Sequence, residues 1–333
     1  LYKNVAQDKL NSVDITFPKT EKFEYLPEQK IDGPTAFVSI MEGCNKYCSF
    51  CVVPHTRGHE ISRPLDDILK EIEGLSLQGV KEVNLLGQNV NSYRDSKLKT
   101  KGLGLSNLIR ASSEIHGIER IQFTTSHPFE FGQDLIDIYA EIPELISYVH
   151  LPVQSGSDKI LGLMNRKHSI KEYLKVVDQL KKINPNIEFS SDFIIGYPGE
   201  NEQDFKSTFE LIKRVNFINS YSFIFSPRPG TVAADLKLIK KSISMERLEI
   251  IQNQLSKNQM KMNKSLENKN INVLAENFTE NKKNVFGRSE YMTAVVFNGK
   301  KEDMGKIVSV KVNQVNRNTL IGSSINNSNQ KVA

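Results

Sequence analysis

Residues 43–58 read Gly43-Cys-Asn-Lys-Tyr-Cys-Ser-Phe-Cys-Val-Val-Pro-His-Thr-Arg-Gly58, and they contain Cys44, Cys48 and Cys51, the only cysteines of this chain. Thiolates are the ligands of soft metals and of iron–sulfur clusters, and this spacing lets one loop wrap around a single inorganic core. With no fourth cysteine, a cluster held here would keep one iron without a protein ligand. An open metal position is typical of a catalytic site.

Two other uses of these cysteines have to be weighed. His55 stands four residues after Cys51, so the three cysteines and this histidine could form a closed structural zinc site. A disulfide is disfavoured because the number of cysteines is odd, no signal peptide is visible, and the thiols are close neighbours on one loop. The zinc site remains the alternative, and it would make the chain a noncatalytic, zinc-stapled RNA-binding module.

The cysteine loop belongs to a repeated pattern of strand, turn and helix. Six short strands separated by helices indicate a parallel sheet with right-handed crossovers, either doubly wound or a partial barrel. The cysteines follow the first strand, at the carboxyl end where parallel α/β folds bind ligands. The apolar patterns predict strands at 35–40, 82–86, 120–124, 148–151, 188–195 and 221–225, and helices at 65–78, 105–115, 131–142, 169–182 and 202–215.

Polar and glycine-containing segments follow each of the later strands too. Any one of them is explained by a turn or a helix cap, because Gly, Pro, Ser and Glu are common in both. Their recurrence after strand after strand favours a ligand site at a common mouth. The segments are 87–89, 126–128, 152–157, 196–200 and 226–231.

These residues carry a resemblance to a known family. The Cys-x3-Cys-x2-Cys loop after a first strand resembles the signature of the radical S-adenosylmethionine (SAM) enzymes. The flanking residues 37–58 are similar to the methylthiotransferase family, and within it to the MiaB branch, which modifies tRNA. The resemblance covers residues 30–325 and implies a partial (βα)6 TIM-like radical SAM barrel over residues 35–268, closed by a helix at 245–266.

The resemblance also implies roles for single residues. Cys44, Cys48 and Cys51 would hold a [4Fe–4S] cluster whose open iron binds the amino and carboxylate groups of SAM. Residues 86–89 take the place of a Gly-Gly-Glu element that meets the SAM amino group, with an amide instead of the acid. Arg166 would offer a planar fork to the SAM carboxylate, and Asp192 and Gly196 belong to a motif beside adenine and ribose. The implied cofactor contacts are Gln88, Asn89, Gln154, Ser155, Arg166, Asp192 and Gly196.

The implied reaction starts with reductive cleavage of SAM to methionine and a 5′-deoxyadenosyl radical, which abstracts a hydrogen before a methylthio group is attached. In the MiaB branch the target is carbon 2 of N(6)-isopentenyladenosine beside a tRNA anticodon. Related branches act on threonylcarbamoyladenosine in tRNA or on an aspartate of a ribosomal protein. The family also implies a low-potential electron donor such as flavodoxin or ferredoxin. It further implies a second [4Fe–4S] cluster in an additional N-terminal domain, for which this sequence offers no ligands.

Composition narrows the function classes. No uninterrupted apolar run is long enough to cross a bilayer, so we expect a cytoplasmic protein, and we expect it to be a monomer. The net charge is +5, but residues 256–333 alone contain thirteen Lys or Arg against six Asp or Glu, which indicates an anionic partner, nucleic acid first. Residues 1–34 are polar and are predicted to be a linker or the remnant of an N-terminal region. The first residue, Leu1, suggests a fragment.

From residue 271 the pattern changes to short strands, predicted at 271–275, 291–297, 307–315 and 319–325, with Gly287, Gly299 and residues 316–318 at turns. Such strands predict a small β-barrel within residues 269–333. This region resembles the TRAM domain, an RNA-binding barrel of tRNA-modifying enzymes. The alternative is a lysine-rich surface that only keeps the protein soluble. The resemblance implies phosphate contacts by Lys282, Lys283, Arg288, Lys300, Lys301 and Lys306.

Overall fold

The computed structural model describes residues 23, 31, 33–97, 103–280 and 283–325, so the predicted linker at 1–34 lies almost entirely outside the described residues. The first nine strands precede residue 225, and all of them pair in parallel except one short antiparallel pair of residues 41–42 with 61–62. These strands are β1 (Thr35–Ser39), β2 (Met41–Glu42), β3 (Ile61–Ser62), β4 (Glu82–Leu86), β5 (Arg120–Phe123), β6 (Tyr148–His150), β7 (Glu188–Ser190), β8 (Asp192–Ile195) and β9 (Tyr221–Ile224).

The parallel strands follow one another around a curved sheet. Strands β1, β4 and β5 form one sheet, while β6 pairs with β7 and β8 with β9. An isolated β-bridge between Ile121 and Leu145 links β5 to the segment that precedes β6. The predicted fifth strand is interrupted at Ser191, whose Oγ accepts a hydrogen bond from the backbone N of Val153 at 2.9 Å. The predicted α/β architecture, a partial barrel followed by a small β-barrel, is confirmed.

Helices cover the outside of the parallel strands and bury their apolar faces against them. Their caps match the sequence: Ser169 accepts from the backbone N of Glu172, and Asn201 accepts from that of Asp204. Each predicted helix is present, with ends shifted by up to four residues, whereas α1 and α5 were not predicted. The helices are α1 (Val53–Thr56), α2 (Leu65–Leu77), α3 (Leu105–Ser113), α4 (Gln133–Glu141), α5 (Asp158–Leu163), α6 (Ile170–Ile183), α7 (Glu202–Val215) and α8 (Lys241–Ser265).

Five strands close the C-terminal β-barrel, and around it the fifth strand lies between the third and the fourth. Four of these strands were predicted from the sequence. The strand at Val285–Ser289 was not, because Gly287 was placed at a turn and instead lies inside this strand. A Cβ at Gly287 would come within 2.1 Å of the carbonyl oxygen of Leu274, so this strand needs glycine for close backbone approach. The strands are β10 (Asn270–Phe278), β11 (Val285–Ser289), β12 (Ala294–Asn298), β13 (Ile307–Val315) and β14 (Thr319–Ser324).

The C-terminal barrel packs under the amino ends of the parallel strands, opposite the cysteine loop. Arg120, the first residue of β5, donates to the carbonyl oxygens of Arg288 and Ser289 at 2.9 and 2.8 Å. Tyr148 and Ile218 add apolar contacts to the core of this barrel. The carboxyl ends of the strands therefore stay open for a ligand. Among the described residues, no helix combines the length and apolar character needed to span a bilayer.

Candidate active site

The cysteine loop leaves strand β2 at the carboxyl mouth of the parallel strands. Gly43, which precedes the first cysteine, has φ +84°, and a Cβ there would lie 2.1 Å from the carbonyl oxygen of His59. Only glycine fits this position without a shift of backbone. The backbone N of Cys44 donates to the carbonyl of Gly58 at 3.2 Å, so the two ends of the loop meet.

The three thiols differ in burial, with Cys48 buried and Cys44 and Cys51 half-buried. Burial, together with the nearby charges of Glu60, Cys48 and Cys51, raises the pKa of Cys44 to about 11. A backbone hydrogen bond from Lys46 acts in the opposite direction. Burial also raises the pKa of Cys51. In the absence of metal these two thiols are therefore protonated at neutral pH, and metal binding must displace their protons.

The donor set fits an iron–sulfur cluster, since three soft thiol ligands share one loop and sit in a partly water-excluded mouth. Within the part of the chain that the structure describes, no group of three or more His, Cys, Asp or Glu side chains forms a ready-made metal site. His55, the fourth ligand of the zinc alternative, is exposed on helix α1. The structure therefore does not gather His55 with the thiols in a closed ligand set.

Arg166 lies against the cysteine loop. Its Nη1 is 3.7 Å from the Sγ of Cys48, and its Nη2 donates to the carbonyl of Pro152 at 2.6 Å. The Nε atom is buried without a hydrogen-bond partner in the described residues. Two further contacts hold this segment on the loop: Asn165 Nδ2 donates to the carbonyl of Tyr47, and Ser49 N donates to that of Met164. This cation thus faces the thiols and keeps one N–H for a ligand.

A cavity of about 420 Å³ opens beside Cys51. Its walls are mainly aromatic and aliphatic, with Phe50, Ile194 and Phe225 among them, and Gln154 and Arg228 add polar groups. This volume lies in the range of small-molecule sites, which are typically apolar with a few polar groups that orient the ligand. The cavity therefore borders the cysteine loop at Cys51, and the two together form the candidate site.

Several buried polar atoms around the mouth have no hydrogen-bond partner among the described residues. They are Asn89 Oδ1, Ser126 Oγ, His127 Nε2 and Gln154 Oε1, which come from three different strand–helix loops. Buried polar groups are nearly always paired, and an unpaired one costs about 1–3 kcal/mol. These atoms indicate a polar ligand at the mouth. Asn89 and Gln154 belong to the predicted cofactor contacts, whereas Ser126 and His127 do not.

His127 and His168 form a buried edge-to-face pair with ring centroids 5.7 Å apart. Burial lowers the pKa of His127 to about 2, with further lowering by Arg166, His168 and Lys46. Burial lowers the pKa of His168 to about 3, again together with Arg166. Both rings are therefore neutral at pH 7. Sequence reasoning missed this pair, because only the fold brings the two histidines together.

Two predicted cofactor contacts have partners within the protein. Gln88 accepts a hydrogen bond from the backbone N of Gly43 at 2.6 Å through its Oε1, so it holds the start of the cysteine loop. Ser155 is buried, and its Oγ lies 3.3 Å from Oγ1 of Thr208 on α7. These contacts give both residues a structural role in addition to the predicted one.

The other two predicted contacts lie along strand β8 and just after it. The carboxylate of Asp192 is 3.6 Å from Nε2 of His150, and both side chains are partly exposed. Gly196 has φ +71°, and a Cβ there would lie 2.3 Å from Oγ of Ser244 on helix α8. Close packing against Ser244 therefore explains Gly196 independently of the predicted approach to adenine and ribose.

Glu130 connects the cysteine loop to two strand–helix loops, a role that sequence reasoning missed. Its Oε1 is 2.5 Å from Nζ of Lys46, which stands between the first two cysteines. Its Oε2 accepts a hydrogen bond from Asn89 Nδ2 at 2.8 Å and another from Ser92 Oγ. One carboxylate therefore connects three segments of the mouth.

Replacement of Glu130 by glutamine is expected to lower the free energy of unfolding by about 1.5–3 kcal/mol at pH 7, because hydrogen bonds to a charged group are lost. Burial opposes ionisation of Glu130, but the hydrogen bonds with Lys46, Ser92 and Asn89 outweigh this effect and lower its pKa below 4.5. A carboxyl whose pKa is lower in the folded state stabilises the fold above its ordinary pKa. The difference from the unsubstituted protein should therefore shrink as pH falls through the lowered value.

Urea unfolding followed by circular dichroism at pH 7 and at pH 3 would check this expectation. The matched control is Glu210→Gln, which removes an exposed carboxylate 3.2 Å from Lys213. Such surface pairs contribute about 0–1 kcal/mol. Equal effects of the two substitutions at pH 7 would contradict the role assigned to Glu130.

The predicted RNA contacts lie around the C-terminal barrel, except Lys282, which falls outside the described residues. Arg288 is half-exposed on β11, with its Nε 3.6 Å from a carboxylate oxygen of Glu276. Lys300, Lys301 and Lys306 are exposed on a loop that also contains Glu302 and Asp303. Lys283 is exposed as well. These cations are thus interspersed with acidic groups.

Two family profiles match the chain: the Radical SAM superfamily over residues 38–212 and the TRAM domain over residues 264–325. A tRNA-2-methylthio-N(6)-dimethylallyladenosine synthase of Pelagibacter ubique (strain HTCC1062) is 53% identical over 332 residues, 99% of this chain and 74% of that protein. The protein of the same name from Ruthia magnifica subsp. Calyptogena magnifica is 49% identical over 315 residues, 94% of this chain and 71% of that protein.

Among solved structures, coproporphyrinogen III oxidase (HemN) from Escherichia coli, a radical SAM enzyme, aligns over 68% of this chain and 54% of its own. The TM-score of 0.49 and the identity of 17% are too low to argue from. The identities to the two synthases extend over nearly the whole chain. The resemblance carried by the cysteine loop and its flanks is therefore confirmed, and the chain belongs to the radical SAM superfamily and, within it, to the family of the tRNA-2-methylthio-N(6)-dimethylallyladenosine synthases.

Proposed function

We propose that this protein is a radical SAM methylthiotransferase that acts on carbon 2 of N(6)-isopentenyladenosine, also named N(6)-dimethylallyladenosine, next to a tRNA anticodon. The observation that carries the proposal is the loop of Cys44, Cys48 and Cys51 at the open mouth of a partial barrel. The chain that contains this loop is 53% and 49% identical to two synthases that are named for this modification. The C-terminal TRAM domain supports an RNA substrate.

The radical SAM superfamily works with a [4Fe–4S] cluster and SAM. In this chain Cys44, Cys48 and Cys51 would hold the cluster, with one iron left open for the amino and carboxylate groups of SAM. When bound, the cluster and SAM supply an organic radical that abstracts a hydrogen from the substrate. A site for such chemistry must keep water away from the reacting atoms.

The chain's own residues would bind and orient the cofactor. Arg166 would offer its Nε to a carboxylate, and Asn89 and Gln154 would offer their side-chain oxygens to N–H or O–H donors. None of these atoms has a hydrogen-bond partner among the described residues. Phe50 and Phe225 in the cavity wall would exclude water from an adenine-sized ligand. His127 and His168, both neutral, would add no charge to this pocket.

The methylthio group needs a sulfur source, and the family resemblance assigns it to a second [4Fe–4S] cluster. All three cysteines of this sequence stand on the loop at the mouth. The thiolates of a second cluster would therefore come from outside these 333 residues. A low-potential electron donor such as flavodoxin or ferredoxin, a monomeric state and a cytoplasmic location complete the proposal.

Product analysis tests this function. The full enzyme, reconstituted anaerobically with iron and sulfide, would be reduced in the presence of SAM and of tRNA that carries N(6)-isopentenyladenosine, and the nucleosides would be separated by chromatography with mass detection. We expect the 2-methylthio derivative of this nucleoside. A methylthio group found on threonylcarbamoyladenosine, or on the ribosomal-protein aspartate, when those substrates are offered, with none on isopentenyladenosine, would overturn the proposed substrate.

A further inference from the structure

We propose that a groove between helix α8 and the turn at residues 316–318 binds phosphates of the RNA backbone. This inference rests on the proposed function, since it assumes a tRNA substrate. The groove has a volume of about 750 Å³ and is lined by Lys257, Lys261, Lys264 and Arg317, and none of the described residues in its lining is acidic. Its four cations are not among those that the TRAM resemblance implies, although Lys264 and Arg317 fall within the residues that match the TRAM domain.

The three lysines form a row on one face of α8. They stand at spacings of four and three residues, which place their side chains next to each other along a helix. All three are exposed. None of them forms an ion pair with a residue that the structure describes. Like charges at this spacing repel each other, so the row costs stability unless an anion neutralises it.

A buried hydrogen-bonded contact positions Arg317 at the same groove. Asn263, fully buried on α8, donates from Nδ2 to the carbonyl oxygens of Asn316 and Arg317 at 2.7 and 3.0 Å. The backbone of this turn is closed by a hydrogen bond from Asn316 N to the carbonyl of Thr319. The fourth cation is therefore held beside the lysine row by the fold.

A second groove, next to helix α6, shows what an ordinary charged surface of this protein looks like. It also has four cations, Lys171, Lys175, Lys182 and Arg214, but three carboxylates share its lining. One of them, Asp178, lies 3.8 Å from Arg214. The groove at α8 differs because none of the described residues that line it is acidic. Such a site is complementary to a row of phosphates.

Helix α8 also connects the groove with the active-site mouth. Ser244, near its start, packs against Gly196 at the carboxyl ends of the strands, and Asn263, near its end, contacts the C-terminal barrel. From Ser244 to Lys257 the helix rises by about 20 Å. An RNA whose reacting base enters the mouth can therefore lay its backbone along the same helix, so the groove would help to position the base as well as to bind the RNA.

The test compares two triple variants of the full chain, each of which removes three exposed positive charges from one helix. Lys257→Gln, Lys261→Gln and Lys264→Gln together alter α8, and Lys171→Gln, Lys175→Gln and Lys182→Gln together alter α6. Lysine and glutamine have similar helix propensities, so both variants should fold. Binding of tRNA that carries N(6)-isopentenyladenosine would be measured by fluorescence anisotropy between 50 and 200 mM salt.

For the α8 variant we expect the slope of log affinity against log salt to fall by about 2–3, because each phosphate contact contributes about 0.7–0.9. The affinity loss between 50 and 200 mM salt should then be about 20- to 40-fold smaller than for the unsubstituted protein. The α6 variant should change the slope by less than about 1. The triple Lys→Arg variant of α8, which retains the charges, should bind as the unsubstituted protein does.

Equal slopes for the α8 variant and the unsubstituted protein would overturn the groove and leave the proposed function standing. Equal losses in the α6 and α8 variants would also overturn it, because general charge rather than a site would then explain binding. If the unsubstituted protein itself did not bind this tRNA, both the groove and the proposed function would be overturned.

Discussion

Replacement of Cys48 by alanine is expected to abolish both iron–sulfur incorporation and the formation of 5′-deoxyadenosine from SAM. Cys48 is the most buried of the three thiols, and its Sγ faces Nη1 of Arg166 at 3.7 Å. Two half-buried thiols would remain, which are too few to hold a cluster with one open iron. Iron and sulfide content after anaerobic reconstitution gives one readout, and chromatography of 5′-deoxyadenosine after reduction gives the other.

The matched control is His55→Ala, which separates the cluster from a structural zinc site. His55 is exposed on α1 and is not expected to be a ligand, so iron and sulfide content should remain that of the unsubstituted protein. A zinc site of three cysteines and one histidine would lose its metal in this variant. One zinc per chain that disappears with His55→Ala, and no 5′-deoxyadenosine from the unsubstituted protein, would contradict the cluster.

The core of the fold was predictable because its signals are local. The strand at 82–86 appears in the structure with the predicted bounds, since Val83 and Leu85 belong to a run buried on both faces. The helix at 202–215 was equally clear from its apolar periodicity, and the structure adds the Asn201 cap at its start. The cysteine spacing pointed to metal chemistry in the same way, because a ligand set on one loop is visible in sequence.

Contacts between distant segments could not be predicted in this way. Lys46 and Glu130 are separated by 84 positions, and only the curvature of the sheet brings their loops together at the mouth. The carboxylate of Glu130 lies between Lys46 and Asn89, which stand on two other loops of the mouth. The same holds for His127 and His168, which meet edge to face inside the mouth.

Glycines were misinterpreted where their local signal was ambiguous. Gly287 was predicted at a turn, since glycine commonly interrupts a strand pattern, yet it lies within β11 against the backbone of Leu274. Gly196 follows β8 as predicted, but the atom closest to its missing side chain belongs to Ser244 of the distant helix α8. Sequence shows that a glycine is present, whereas the packing partner that requires it depends on the tertiary fold.

Arg120→Met is expected to lower the free energy of unfolding by about 3–5 kcal/mol, because it removes one partner of a buried ion pair. Nε of Arg120 lies 2.9 Å from Oε2 of Glu82, and both side chains are less than one tenth exposed. That contact brings opposite charges together without a well-aligned hydrogen bond, since neither atom has a hydrogen-bond partner among the described residues. The directed hydrogen bonds of Arg120 run instead to the carbonyls of Arg288 and Ser289 in the C-terminal barrel.

The substitution therefore leaves a buried carboxylate without its counter-ion and removes the side-chain donor of two carbonyls at the contact between the barrels. The carbonyl of Ser289 keeps a backbone hydrogen bond from Met292 N. The matched control is Arg110→Met, since Arg110 pairs with Glu141 at 2.7 Å but both side chains are more than one third exposed. Such pairs contribute about 0–1 kcal/mol. Because the sequence contains no tryptophan, unfolding in urea is best followed by circular dichroism. A cost for Arg120→Met no larger than that for Arg110→Met would show that the two barrels are held together by their apolar contacts alone.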